Sequence, residues 1–513
     1  MYRTLGMAPV ALPGASRADS ILGAALLLSL GRVVALAVTF AVPVIVARVL
    51  APADFGTYRQ FLLVFTTLYA VAQLGMAESL FYFVPAQPER AGLYAGNAML
   101  VLLAAGIGSF VLLTALAGTL ATALGNPALQ GLGPLLGAYL ALMLIAAPLE
   151  MLLVSRNRHA WASVGYGLSD IARAALLLLP LVLWHRLEAL CAGLIVFAAL
   201  RVAATLVYCR REFGAGFGAD RAGLGSQLAY AWPLLLAMAL QTAQANVHAY
   251  VVAGRFDPTT FAIYSVGCLQ VPLVDLVASS ACNVMMVRMR EHAARGEPAT
   301  MMHLWRQTAR RVLLLVLPLL GALFVVSRDL LSVLFTEAYA GSVPVFRIWL
   351  AGLLLVALPA HGPLRVLGDT RFLALQTMVK LTIVVVFIDV FLSAFGLMGG
   401  ALVSVAAVLV GKSMLLARLG HRTGVPLPQI LPWRGFAGIV LAGAAAAVAA
   451  VAVGAVMRSG VERLLVTAVT YGSTYAVLTW CSGALEPAEK HALLRHGRRL
   501  ASRYTGRRSC PAG

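Results

Sequence analysis

Ionisable side chains stand inside long apolar runs of this chain. Arg32, Asp170, Arg173, Arg201, Asp275 and Lys380 fall at mid-depth of such runs, and Glu78, Glu150, Asp389 and Lys412 fall nearer their ends. A charge at hydrocarbon depth is costly unless it is paired or wetted, so each of these residues marks an ion pair or a cavity. Asp170 and Arg173, three apart, are expected to pair on one helix face. Glu150 is expected to pair with Arg156 or Arg158, and Lys412 is long enough to snorkel to the interface. Arg32, Arg201 and Lys380 have no opposite charge close in sequence. Their chemistry is anion binding: a guanidinium fork fits phosphate oxygens, and a low dielectric strengthens the contact. The competing expectation is a salt bridge between helices, with Glu78, Asp275 or Asp389 as partner. Gln241, Gln244 and His248 recur at i, i+3 and i+7 on one face of a run that also holds Asn246. Such a stripe cannot face lipid, and its amides suit sugar hydroxyls. Arg32, Arg173, Arg201, Gln241, Gln244, His248 and Lys380 are therefore the candidate ligand-binding residues. Glu78, Asp170 and Asp275 are candidates for taking up a proton or a sodium ion.

The elements that position these groups are membrane helices. Of 513 residues, 61% are hydrophobic and only 12% charged, with a mean hydropathy of +0.88. No soluble fold hides that much apolar surface. Fourteen runs long enough to cross the bilayer are expected: 21–47, 57–84, 92–122, 131–153, 162–184, 189–209, 225–252, 260–285, 311–327, 343–363, 372–393, 396–417, 435–457 and 464–482. The net charge of +19 suggests nucleic acid, but its distribution argues against that. With the N-terminus in the cytoplasm, 26 of the 39 Lys and Arg fall on the cytoplasmic side, eight on the other and five inside spans. This is the positive-inside pattern, with both termini cytoplasmic. Residues 1–20 make a poor signal peptide, since Pro9 and Pro13 interrupt a short apolar part. The six cysteines are scattered without a C-x-x-C, so neither a disulfide framework nor a metal site is expected. No cofactor is expected either, and no nucleophile–base spacing marks a catalytic residue.

A short motif repeats. Pro52-Ala-Asp-Phe-Gly-Thr-Tyr58 returns as Pro258-Thr-Thr-Phe-Ala-Ile-Tyr264, each copy between two apolar runs. The repeat pairs span one with span seven and span two with span eight, which predicts two six-helix bundles in parallel orientation and a central site between related halves. The expected organisation is a cytoplasmic tail 1–20, a bundle 21–209, a linker 210–224, a bundle 225–417, a loop 418–434, two extra helices 435–482 and a basic tail 483–513. Within the motif, Pro starts a helix, Asp54 and Thr259–Thr260 are expected to cap it, and Phe and Tyr are expected to anchor at the interface with the hydroxyl in water. Segment 286–310 is expected to form an amphipathic helix on the lipid surface. The Ala/Gly-rich stretch in 435–457 is expected to pack closely against other helices.

The stretch Ala47–Tyr58 resembles the first inter-helix loop of bacterial polysaccharide flippases, the Wzx-like members of the multidrug/oligosaccharidyl-lipid/polysaccharide exporter superfamily. Ala253–Val266 looks like the matching position in their second half. The resemblance implies an all-α integral membrane protein of about fourteen transmembrane helices, two parallel six-helix bundles plus two C-terminal helices. It also implies a bacterial inner-membrane flippase, not an enzyme, that moves polyprenyl-diphosphate-linked oligosaccharide by alternating access. Polysaccharide polymerase or export machinery would be its neighbours, membrane lipids its surroundings, and nucleic acid no partner. The chain departs from the common pattern by carrying His248 and no acidic residue in the body of span seven. The rival readings are a multidrug antiporter of the same superfamily, a membrane polysaccharide polymerase or ligase, and a transport-inactive scaffold. The antiporter calls for twelve spans and an acidic cavity, and the enzyme for a large external loop.

Overall fold

The computed structural model describes residues 38, 40–156, 159–458, 460–483, 485, 489–491 and 495. Arg32, the tail 1–20 and most of the predicted first span and of the C-terminal tail lie outside the described residues. Among the described residues the regular elements are helices and no strand occurs. They are α1 (Phe40–Val49), α2 (Pro52–Ala72), α3 (Met76–Ala86), α4 (Ala91–Ala115), α5 (Ala117–Ala123), α6 (Ala128–Ala146), α7 (Pro148–Ser155), α8 (His159–Trp184), α9 (Leu187–Phe213) and α10 (Arg221–Arg255). There follow α11 (Pro258–Gly267), α12 (Pro272–Ala294), α13 (Pro298–Val325), α14 (Ser327–Phe335), α15 (Ser342–Ala357), α16 (His361–Val366), α17 (Thr370–Phe395), α18 (Met398–Thr423), α19 (Leu427–Ile430), α20 (Trp433–Ala455) and α21 (Val461–Cys481). Among the described residues twelve stretches are long and apolar enough to cross a membrane, and α11 with α12, bent by 43°, makes a thirteenth; the first of the fourteen expected spans lies mostly outside them. The chain is a multi-pass membrane protein.

Helix starts follow from proline. Pro52, Pro258, Pro272 and Pro298 open α2, α11, α12 and α13, where a missing N–H costs nothing. The cap of α11 is Asp257, whose carboxylate accepts from the N–H of Thr259 (3.0 Å) and Thr260 (3.2 Å). The expected capping by Asp54 and the threonines is thus corrected. Asp54 already lies in the first turn of α2, and the threonines donate to the carboxylate ahead of them.

The chain divides into two compact units. Unit 1 holds residues 1–54, 64–123 and 127–239. In it α4 packs along α6, and α8 along α9. A Cβ on Gly193 of α9 would lie 1.9 Å from the Leu176 carbonyl oxygen of α8, a backbone approach that only glycine permits. Buried Gln227 of α10 ties this unit together: it donates to Tyr94 O (3.2 Å) and accepts from Asn97 Nδ2 (3.1 Å).

Unit 2 holds residues 55–63, 124–126 and 240–513, and so contains Phe55–Tyr58 of the first motif copy and the whole of the second. A Cβ on Gly56 would fall 1.9 Å from the Pro258 carbonyl oxygen. Asn126 Nδ2 donates to Thr57 Oγ1 (2.8 Å) and to Gln60 Oε1 (2.6 Å), and Gln60 Nε2 donates to Leu124 O (3.0 Å). Phe55, Tyr58, Phe261 and Tyr264 are all at most 3% exposed. They are core rings, not the interfacial anchors expected: Phe55 packs edge-on to Tyr339, and the Tyr264 hydroxyl meets His248, not water. The motif is structural, as its sequence implied.

Segment 286–310 forms no separate surface helix. It is the end of α12 and the start of α13, and Met301, Met302 and Trp305 are buried in a core with Met285, Leu364 and Leu415. The indole of Trp305 donates to Pro359 O at 3.2 Å. The apolar face read as lipid-seeking is satisfied by protein. The Ala/Gly stretch of α20 packs on α13 and α21 around Tyr471 and Tyr475, as its small residues predict.

Candidate functional site

Two spans that the repeat pairs are interrupted near the same place, the first without a sharp bend and the second with a 43° bend. In unit 1, α2 gives way to α3 at Gly75, held at φ 68° with Ala231 O only 2.7 Å from where a Cβ would stand. Glu78 then sits in the first turn of α3, and its Oε2 is buried with no hydrogen-bond partner among the described residues. In unit 2, α11 gives way to α12, and Asp275 sits in the first turn of α12. A helix N-terminus favours a carboxylate, which is how both halves hold an acid at such a break.

Unit 1 has a cavity of about 380 Å³ walled by α7, α8 and α9, with Leu149, Leu153, Leu168, Phe197 and Leu200 among its linings. Arg201 reaches it but is not unpaired: Nη2 donates to Glu150 Oε1 at 2.8 Å, and the guanidinium lies 5.9 Å from the Phe197 ring centroid. The partner expected for Glu150 was Arg156 or Arg158. Arg156 instead approaches Glu212 at 3.7 Å, and residue 158 lies outside the described residues. Asp170 and Arg173 form the intrahelical pair that their spacing predicts, at 3.2 Å, and neither lines this cavity.

Unit 2 has a cavity of about 400 Å³ with a different wall. It brings together Gln241, Gln244 and Lys380 from the expected set and adds Ser279, Asn283, His361, Arg365 and Thr377. Lys380 Nζ donates to Gln244 Oε1 at 2.8 Å. A second cavity of about 250 Å³ shares Gln244 and Lys380 and holds His248, Gln270, Trp349 and Ser404. Among the described residues no carboxylate lines either cavity. The predicted stripe of Gln241, Gln244 and His248 thus faces cavities, and His248 Nδ1 shares a 2.7 Å hydrogen bond with the Tyr264 hydroxyl.

Lys412 does not snorkel. It is 5% exposed, and Nζ donates to Val356 O (3.1 Å) and Leu358 O (2.6 Å). The span Ser342–Val366 is interrupted between α15 and α16, leaving carbonyls at the end of α15 that the ammonium satisfies. The same break presents His361 and Arg365 to the larger cavity. Sequence reasoning missed these two because Arg365 reads as a loop residue at a span end; Pro359, a break inside an apolar run, was the signal. Asp389 pairs with Arg255 at 3.1 Å and with no cavity cation.

These features define a class. Residues 21–267 match the model of a family described as polysaccharide biosynthesis protein, which bears out the resemblance carried by the repeated loop. No curated protein sequence matches the chain. Among solved structures, a lipid II flippase MurJ in an inward closed conformation matches with a TM-score of 0.72 at 12% identity, over 89% of this chain and 99% of that one. An inward-facing MATE multidrug-resistance transporter of the MOP superfamily matches at 0.58 and 13% identity, over 76% and 95%. A MOP superfamily transporter from Pyrococcus furiosus matches at 0.53 and 12% identity, over 78% and 94%. The fold is the one these transporters share.

Proposed function

We propose that this protein is a flippase that moves polyprenyl-diphosphate-linked oligosaccharide across the bacterial inner membrane by alternating access. The observation that carries the reading is the wall of the unit 2 cavities. Lys380 and Arg365 stand there among amides and hydroxyls, with no carboxylate lining the wall among the described residues. A diphosphate supplies the missing negative charge, and the amides take sugar hydroxyls. The match of residues 21–267 to a polysaccharide biosynthesis family and the likeness to a lipid II flippase support a lipid-linked glycan as the cargo. In this reading 21–209 and 225–417 are the two bundles, both termini are cytoplasmic, and glycan polymerase or export machinery takes over the product. The protein binds and moves its cargo without covalent chemistry. Arg32 stays in the proposed cation set on its sequence position, and Glu78 and Asp275 are the proposed coupling acids. An antiporter of cationic drugs needs carboxylates where this wall has Lys380 and Arg365, which disfavours that reading.

Changing Lys380→Ala together with Arg365→Ala tests the proposal. Surface glycan in cells should fall at least about tenfold while the variant stays in the membrane at its usual level. Unchanged glycan in the double variant removes these cations from the substrate path.

A further inference from the structure

The smaller unit 2 cavity has its own chemistry. It is bounded by α10, α15, α17 and α18, and its polar lining is Gln244, His248, Gln270, Trp349, Lys380 and Ser404. The wall is firm where α15 meets α18: a Cβ on Gly352 would stand 2.9 Å from Val405 Cγ2. Trp349 is set against His248, with ring centroids 5.4 Å apart. Its indole Nε1 is buried and has no acceptor among the described residues. The other groups have their roles partly assigned. Ser404 Oγ donates to Gly400 O at 2.8 Å, so towards a ligand it accepts. Gln244 gives its carbonyl oxygen to Lys380, so towards a ligand it donates through its NH2. One aromatic ring, mixed amide donors and acceptors, and a volume of about 250 Å³ make a small polar site with one flat apolar surface. Drug-sized ligands use roughly 300–1,000 Å³; this space suits a single ring.

We propose that this cavity is a saccharide subsite that takes one neutral pyranose of the cargo, with the Trp349 ring as its platform. The proposal rests on the flippase reading and deepens it. The larger cavity then holds the diphosphate, and the Lys380–Gln244 hydrogen bond is the shared wall between charge recognition and sugar recognition.

The test uses the full chain in nanodiscs and two probes: polyprenyl diphosphate, and polyprenyl diphosphate carrying one N-acetylhexosamine. Wild type should bind both, the glycosylated lipid more tightly. Trp349→Ala should weaken the glycosylated lipid about tenfold or more and leave the bare diphosphate unchanged. Trp349→Phe keeps a smaller ring and should fall between the two, with a melting temperature close to wild type. Equal loss for both lipids, or no loss for either, overturns the subsite while the flippase reading stands. If wild type binds neither lipid, the flippase reading fails and takes the subsite with it.

Discussion

The cavities of the two units answer their cations differently. In unit 1, Arg201 is met by the carboxylate of Glu150 and by the face of Phe197, in a wall that is otherwise aliphatic apart from Ser169. In unit 2, Lys380 is met by a neutral amide, and Lys412, which lines neither cavity, by two backbone carbonyls. A carboxylate cancels the field of its cation a few ångströms away, whereas dipoles hold the cation in place and leave its net charge to act on a ligand. Charge in an apolar span is therefore no measure of function by itself. What compensates it decides whether it builds the fold or waits for an anion.

The comparison breaks most visibly if the unit 2 wall is given the unit 1 solution. Gln244→Glu places a carboxylate where Lys380 Nζ already has its 2.8 Å partner. The internal anion then competes with a diphosphate for the same ammonium. Glycan export should fall at least about tenfold, while the melting temperature holds or rises. Wild-type export from a folded Gln244→Glu protein would show that net charge at this wall is irrelevant.

The converse change belongs in unit 1. Glu150→Gln strands Arg201, whose side chain is 15% exposed against 27% for Glu150. Breaking a fully buried pair costs about 3–5 kcal/mol, and partial exposure brings this one to about 1–3 kcal/mol, read from denaturant unfolding in detergent. The double change Glu150→Gln with Arg201→Gln should recover most of that loss, since no charge is left without a partner. Export by the folded fraction should change less than in Gln244→Glu; a larger drop would move Arg201 from scaffold to substrate path.

How much of this could be read in one dimension follows from where each partner lies. Spans, helix-starting prolines and the duplicated motif are local signals, and the described spans stand close to where they were expected, whereas the surface helix over 286–310 does not form. Gln241, Gln244 and His248 were legible because a helix turns spacing into a face. The Asp170–Arg173 pair was legible for the same reason. Glu150–Arg201 and Lys412 with α15 were not, because those partners are brought together by packing of separate helices and no spacing encodes them. Trp349 and Gln270 were missed because a lone Trp or Gln at a span reads as core or interface; only the cavity gives them a common purpose.

The two units are alike at loop carboxylates outside the spans, and even there the means differ. Asp220 is bonded to Arg90, but the first cause of its lowered pKa is the N–H of Gly223 at 2.9 Å, with Ala222 adding a second N–H at 3.1 Å. Asp369 is lowered first by the Arg418 guanidinium at 2.7 Å, with Arg422 further off at 3.9 Å. Both carboxyls titrate lower folded than unfolded. The stability they contribute is therefore full above the ordinary Asp value of about 3.9 and is lost as pH falls through the folded value. Melting of the wild type should drop in that acid window, and Asp220→Asn and Asp369→Asn should each flatten the drop. Salt separates them. Ions screen an attraction between exposed charges but leave backbone hydrogen bonds largely intact. At neutral pH the small destabilisation from Asp369→Asn should shrink in about 1 M salt, where the Debye length is ~3 Å. That from Asp220→Asn should persist, and equal salt dependence in the two variants would mean that Arg90, not the turn amides, governs Asp220.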